Sequence, residues 1–212
     1  MRRVTWRRSR SAVAVLVLIP LVACARPTPR LRNAGSMGTE EASRLAKMQG
    51  QLGPPDLSQV PGWEEVGSLK NALSLVPYTF AVPDTALINP NALRQIWVRP
   101  SDDAKSMMLK FQPTADSVIS VQMLVAASDY PNPEAFITDF VTSANAARRV
   151  SILGNDGVTV EPKTDALGQN PGVVHLFVGG VSVAVLGWYY SSSDLIPVAQ
   201  ALAASVSGPR SS

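Results

Sequence analysis

Between residues 63 and 208 the apolar positions switch repeatedly from a spacing of two to a spacing of three or four. A spacing of two sends successive side chains to opposite faces of a strand, and i, i+3, i+4 spacing gathers them on one stripe of a helix. Ser68 to Val76 reads as a short amphipathic helix, and Tyr78-Thr79-Phe80-Ala81-Val82 alternates like a strand before Pro83. Leu93–Arg99, Ser106–Gln112 and Ser117–Ala126 are three further strands. The second has Met107, Leu109 and Phe111 on one face, and the third Ile119, Val121, Met123 and Val125. Short loops such as Pro100-Ser101-Asp102-Asp103 predict an antiparallel meander.

Asn132-Pro133-Glu134 supplies an N-cap, a proline at the first helical position and an acid in the first turn. Phe136, Ile137, Phe140, Val141 and Ala144 then share a face. Arg148 and Arg149 suit the C-terminal end of that helix. Gly154-Asn155-Asp156-Gly157 and Gly179-Gly180 are hairpin signals, the second joining Val173–Val178 to Val181–Tyr190. The last strand is apolar over most of its length, as expected of a central strand covered on both faces. Ser193-Asp194 opens a final helix with Leu195, Val198, Ala199, Leu202 and Val206 on one face and Pro197 in its first turn; Gly208-Pro209 closes it. The expected fold is α+β: an antiparallel sheet of about six to eight strands, built from a meander and hairpins and packed with two to four helices. No repeat of fixed period is present.

The amino terminus follows another logic. Residues 1–11 are basic, and Ala12 to Ala23 form an apolar run ending at Cys24, the pattern of a signal peptide. As a helix this run would rise about 18 Å against a hydrocarbon core of roughly 30 Å, too short for a permanent span. Leu21-Val22-Ala23-Cys24 resembles a bacterial lipobox. That resemblance implies a diacylglycerol thioether on Cys24, cleavage before it, and stable anchoring by two or more acyl chains at the extracytoplasmic side of the cell membrane. Arg7-Arg8 lacks the apolar pair that follows a twin-arginine signal, leaving the export route open.

The chain therefore divides into a signal peptide (1–23), a tether (24–62), a single α+β domain (63–208) and a short tail (209–212). The tether mixes Pro, Gly, Ser and Arg and holds one short helix, from Thr39 with Glu40 and Glu41 in its first turn to about Gln51.

Composition narrows the chemistry. With 46% hydrophobic and 17% charged residues the 212-residue chain is of globular type. One cysteine excludes an intramolecular disulfide, and one histidine excludes a His-cluster zinc site. The formal charge of +3 falls to about −2 once residues 1–23 and their five arginines are removed, so nucleic acid is not an expected partner.

The order of elements resembles the DUF4367-type domain of bacterial envelope lipoproteins and anchored sigma-factor regulators. The resemblance is carried by Val76-Pro77-Tyr78-Thr79-Phe80-Ala81-Val82-Pro83, Met108-Leu109-Lys110-Phe111 and Gly187-Trp188-Tyr189-Tyr190, followed by Leu195-Ile196-Pro197. Asn132-Pro133-Glu134-Ala135-Phe136 is similar to the Mog1/PsbP-like lipoproteins of actinobacteria. Both resemblances imply an antiparallel sheet packed with helices.

His175 is the only imidazole available as a general base, yet no Gly-x-Ser-x-Gly elbow accompanies it. Asp102-Asp103 and Glu64-Glu65 are adjacent acids, which a turn solvates or a strand sends to opposite faces. Asn155-Asp156-Gly157 lacks the further oxygen ligands of a calcium loop, and no phosphate-binding loop is present. No metal or cofactor is expected. Trp188 and Tyr190 are the candidate ligand-binding residues, because aromatics combine large apolar area with a polar tip. The expectation is a non-catalytic binding module for an envelope protein, polymer or lipid, attached to the membrane through Cys24. The alternative is an envelope hydrolase using His175.

Overall fold

The computed structural model describes residues 57, 60–99, 105–112, 119–128, 130–143, 147–165 and 168–208. The signal peptide expected over 1–23, Cys24, the helix expected from Thr39, Asp102-Asp103 and residues 209–212 lie outside the described residues.

Strands β1 (Glu64–Glu65), β2 (Leu93–Arg99), β3 (Ser106–Phe111), β4 (Ser120–Ala127), β5 (Ala147–Ile152), β6 (Asn155–Val160), β9 (Gly172–Val178) and β10 (Val181–Trp188) form one sheet in the order β1-β2-β3-β4-β10-β9-β6-β5. Every pairing in it is antiparallel. A separate hairpin joins β7 (Lys163–Asp165) to β8 (Gly168–Asn170). Three helices accompany them: α1 (Leu69–Ser74), α2 (Pro133–Ser143) and α3 (Ser192–Ser205). The expected α+β architecture is what the chain adopts.

The alternation read from the sequence divides the sheet into two faces. Val98, Met107, Met123, Val125, Leu176, Val183 and Val185 turn to one face and are fully buried there. Leu195, Val198 and Leu202 of α3 join them, as do Tyr78 and Ile88 from the segment between α1 and β2. Apolar area removed from water at about 25 cal/mol per Å² makes this layer the main source of stability. The opposite face carries two smaller clusters. Phe136 and Ile137 of α2 cover β6 near Val158, and Leu57, Trp97 and Met108 pack with Trp63 at the β2–β3 end. Leu57 is buried, so packing extends upstream of the boundary expected at residue 63.

The central strand is β10, between β4 and β9, and its one partly exposed residue is Leu186. Gly179 and Gly180 at φ 55° and 82° form the tight turn that pairs Val178 with Val181, as expected. Four local expectations are corrected. Tyr78–Val82 makes a single bridge, Thr79 with Ser207, and not a strand. Pro77 and Pro83 bracket it without N–H donors, and the Ala81 N–H goes to Ser205 Oγ at 3.2 Å. Tyr78 and Phe80 remain buried.

Arg148 and Arg149 lie in β5 and not at a helix end. Arg149 there meets Glu134 at 3.0 Å and Asp156 at 3.7 Å. Pro197 is the sixth residue of α3, because Ser191 caps the helix earlier than expected. Finally, the β5–β6 turn is centred on Leu153-Gly154, at φ 52° and 76°, with Asn155-Asp156-Gly157 inside β6.

That turn requires positive φ at both central residues, which suits Asn far better than Leu. Leu153 is 59% exposed and has little packing to lose. Leu153→Asn should stabilise the domain by about 1 kcal/mol, read as a rise in Tm of roughly 3 °C. An unchanged or lower Tm would show that Leu153 is held by contacts rather than tolerated.

Candidate functional site

The Gly179-Gly180 turn fixes the register of β9 against β10, setting Ala184 opposite His175 and Ser182 opposite Phe177. His175 and Ser182 are therefore diagonal neighbours on one face, within reach of a long side chain. Their Nε2 and Oγ atoms lie 2.5 Å apart in a hydrogen bond. Phe136 and Phe140, four residues apart and so on one side of α2, set their rings near-perpendicular to the imidazole at 4.6 and 4.5 Å. His175 and Ser182 are only 3% and 7% exposed. Burial pushes the imidazole down to about 3, because a charged ring here would lose its hydration. At neutral pH it is uncharged.

A hydroxyl bonded to a neutral imidazole is two-thirds of a Ser-His-Asp arrangement. The third part is missing here: among the described residues no carboxylate hydrogen-bonds His175. An open depression of about 500 Å³ is lined by Asn132, Glu134, Ala135, Thr138 and Asp139, residues of α2 and its cap that lie outside the helix's buried stripe. His175 is not part of it.

Trp188 and Tyr190 are 5% and 8% exposed and belong to the main core. Burial, and then the charge of Asp194, raises the Tyr190 hydroxyl. The neighbouring Tyr189 is pushed up to about 12 by burial and holds φ at 73°. This segment turns β10 into α3. There the Ser191 N–H donates to Asp194 Oδ2 at 2.9 Å, the Asp194 N–H donates to Ser191 Oγ at 3.3 Å, and the Ser192 hydroxyl donates to Glu161. The first two form a capping box that satisfies the Ser191 and Asp194 amides, and the Ser192 N–H also donates to Glu161 Oε2 at 3.3 Å. Cys24 lies outside the described residues.

Sequence reasoning did not pair Ser182 with His175. The signal was available: a two-residue turn at 179–180 puts 178 opposite 181, and counting back aligns 177 with 182. Also unforeseen is a row of unpaired polar atoms on the same sheet face. Gln122 Oε1 and Nε2, Ser120 Oγ and Trp97 Nε1 are buried without a hydrogen-bond partner, at a cost of about 1–3 kcal/mol for such a group.

No family model matches the chain, and no curated protein or solved structure matches it. Among the described residues no three His, Cys, Asp or Glu side chains gather as metal ligands. No helix among them is long and apolar enough to cross a membrane.

Proposed function

We propose that the protein is an exported lipoprotein, anchored through lipidated Cys24 on the extracytoplasmic side of the cell membrane, whose folded domain binds a partner without catalysing a reaction. The anchoring rests on the lipobox-like Leu21-Val22-Ala23-Cys24 behind a short apolar run. The observation that carries the choice of binding over catalysis is the enclosure of the only imidazole. His175 and its hydroxyl partner are buried together beneath two phenylalanine rings of α2, and with that helix in place a substrate carbonyl has no approach. The partner class is an envelope protein, polymer or lipid, with Trp188 and Tyr190 as the aromatic residues proposed to support its site.

Cys24→Ser should abolish fatty-acid labelling and leave a precursor uncut at residue 23, moving the protein from the detergent phase to the aqueous phase on partitioning. Continued labelling and cleavage between Ala23 and Cys24 would end the lipobox reading.

The second reading, an envelope hydrolase, is favoured by the 2.5 Å contact of His175 with Ser182. The two readings separate in one experiment. Under the binding reading a fluorophosphonate probe leaves Ser182 unlabelled. His175→Gln, matched to wild-type abundance at the membrane, then complements a deletion strain. Stoichiometric labelling of Ser182, together with a folded but functionally dead His175→Gln protein, would establish the hydrolase instead.

A further inference from the structure

Helix α2 rests on the sheet through a cluster of its own. Phe136, Ile137 and Val158 are buried together, with Phe140 and Phe177 against them, and none belongs to the main core on the opposite face. The strands beneath are fixed independently, since Val174 and Leu176 of β9 and Val183 and Val185 of β10 are buried in that main core. The seat of α2 can thus be vacated while the sheet and α3 remain packed. At the centre of the seat lies His175, between Phe136 and Phe140 and bonded to Ser182.

We propose that α2 is a flap that lifts from the sheet as a unit, and that a proton on His175 drives it to the lifted state. With α2 seated, the groups around the imidazole are uncharged: Ser182 and Ala184 from β10, Val158 from β6, and the two rings from α2. The charges on the adjoining elements lie at the surface. Arg149 stands opposite Val158 on β5 and pairs with Glu134 of α2 and with Asp156, while Asp139 accepts the Tyr130 hydroxyl. The Arg149–Glu134 pair is more than half exposed on both sides and holds α2 only weakly. Lifting α2 returns the imidazole to water, where it takes a proton at the ordinary value near 6.5. Below that pH the ratio of lifted to seated molecules rises about tenfold per unit. His175 is the only histidine in the chain, so the interval from pH 7 to pH 5, which spans the ordinary imidazole value, reports on it. This device is independent of whether the domain binds or catalyses.

The test is native-state hydrogen exchange on the full chain at pH 7 and pH 5, with intrinsic rates corrected and small increments of denaturant. The α2 amides should exchange through an opening with a shallow denaturant slope and a lower free energy than those of β3 and β4. Its equilibrium constant should rise about 25-fold on acidification. In His175→Gln the same opening should be independent of pH. If that variant does not fold, the wild-type slopes and their response to pH decide alone. Exchange of α2 with the same free energy and slope as β3 and β4, or an opening constant unchanged between the two pH values, would overturn the proposal.

Discussion

Acidification from pH 7 to pH 4.5 should cost the folded domain about 2–3 kcal/mol, an amount that His175 alone supplies. In the folded chain its imidazole accepts a proton only near pH 3 because burial excludes the charged form; in the unfolded chain it does so near 6.5. Between those values the unfolded chain holds more protons, so stability is full above 6.5 and is lost progressively as pH falls toward 3. The measurement is a series of urea melts, with the midpoint falling between pH 6.5 and 4.5 at constant m. His175→Gln should flatten the profile over that interval. The exposed Arg149 pairs contribute little to it. A wild-type profile already flat would mean that the imidazole is hydrated in the folded state, and the enclosed site would have to be abandoned.

The strands that were legible are those with one face against the main core. In β3 and β4 the apolar residues Met107, Leu109, Phe111, Val121, Met123 and Val125 face the main core at a spacing of two, which is the alternation read from the sequence, although the other face is largely buried as well. Tyr78–Val82 alternates for a different reason. Its large side chains enter the same core, but the segment makes only the Thr79–Ser207 bridge and its backbone is satisfied partly by a serine of α3. Periodicity reports burial and not the ladder, so such a segment is indistinguishable from a strand in sequence. The β5–β6 turn was displaced because Asn155-Asp156-Gly157 has the better turn composition. The register is instead set by Gly154 and tolerates a strained Leu153. Arg148 and Arg149 carry no periodic signal, since β5 is an edge strand whose side chains are largely exposed.

The candidate site was legible in part. His175 was identified as the one imidazole, and Phe136 and Phe140 as one face of a helix. That the helix would be laid over the histidine is a tertiary fact. It depends on β6 and β5 returning beside β9 after α2, which the neighbouring motifs do not encode. Trp188 and Tyr190 drew attention as aromatics that ligands favour, and the structure places both in the core. The unpaired amide of Gln122 was invisible because Gln on a strand reads as a solvent-facing residue, and only the packed sheet makes it 1% exposed.

Gly172→Ala should be among the most destabilising single changes in the domain. Gly172 and Gly187 stand opposite one another where β9 meets β10, on the face that α3 covers. The chain leaving β10 folds back over this pair, aided by Tyr189 at φ 73° and a bond from the Tyr190 N–H to the Gly187 carbonyl. A Cβ on Gly172 would sit 2.3 Å from the Tyr190 carbonyl oxygen and 3.2 Å from the Ser191 carbonyl carbon. Both are backbone atoms. They cannot swing aside as a flexible side chain would, and moving them displaces the capped start of α3 and the buried Leu195 behind it. The expected loss is about 3 kcal/mol, the upper end of what overpacking costs, or a fall in Tm of roughly 6–12 °C. Gly67→Ala is the matched control, since a Cβ there meets nothing within 4 Å, and it should leave Tm unchanged or slightly raised. If Gly172→Ala melts within 2 °C of wild type while Gly67→Ala behaves as expected, then the crossing of Tyr190 over β9 is looser than its geometry states, and the β10–α3 turn is not the rigid joint of this domain.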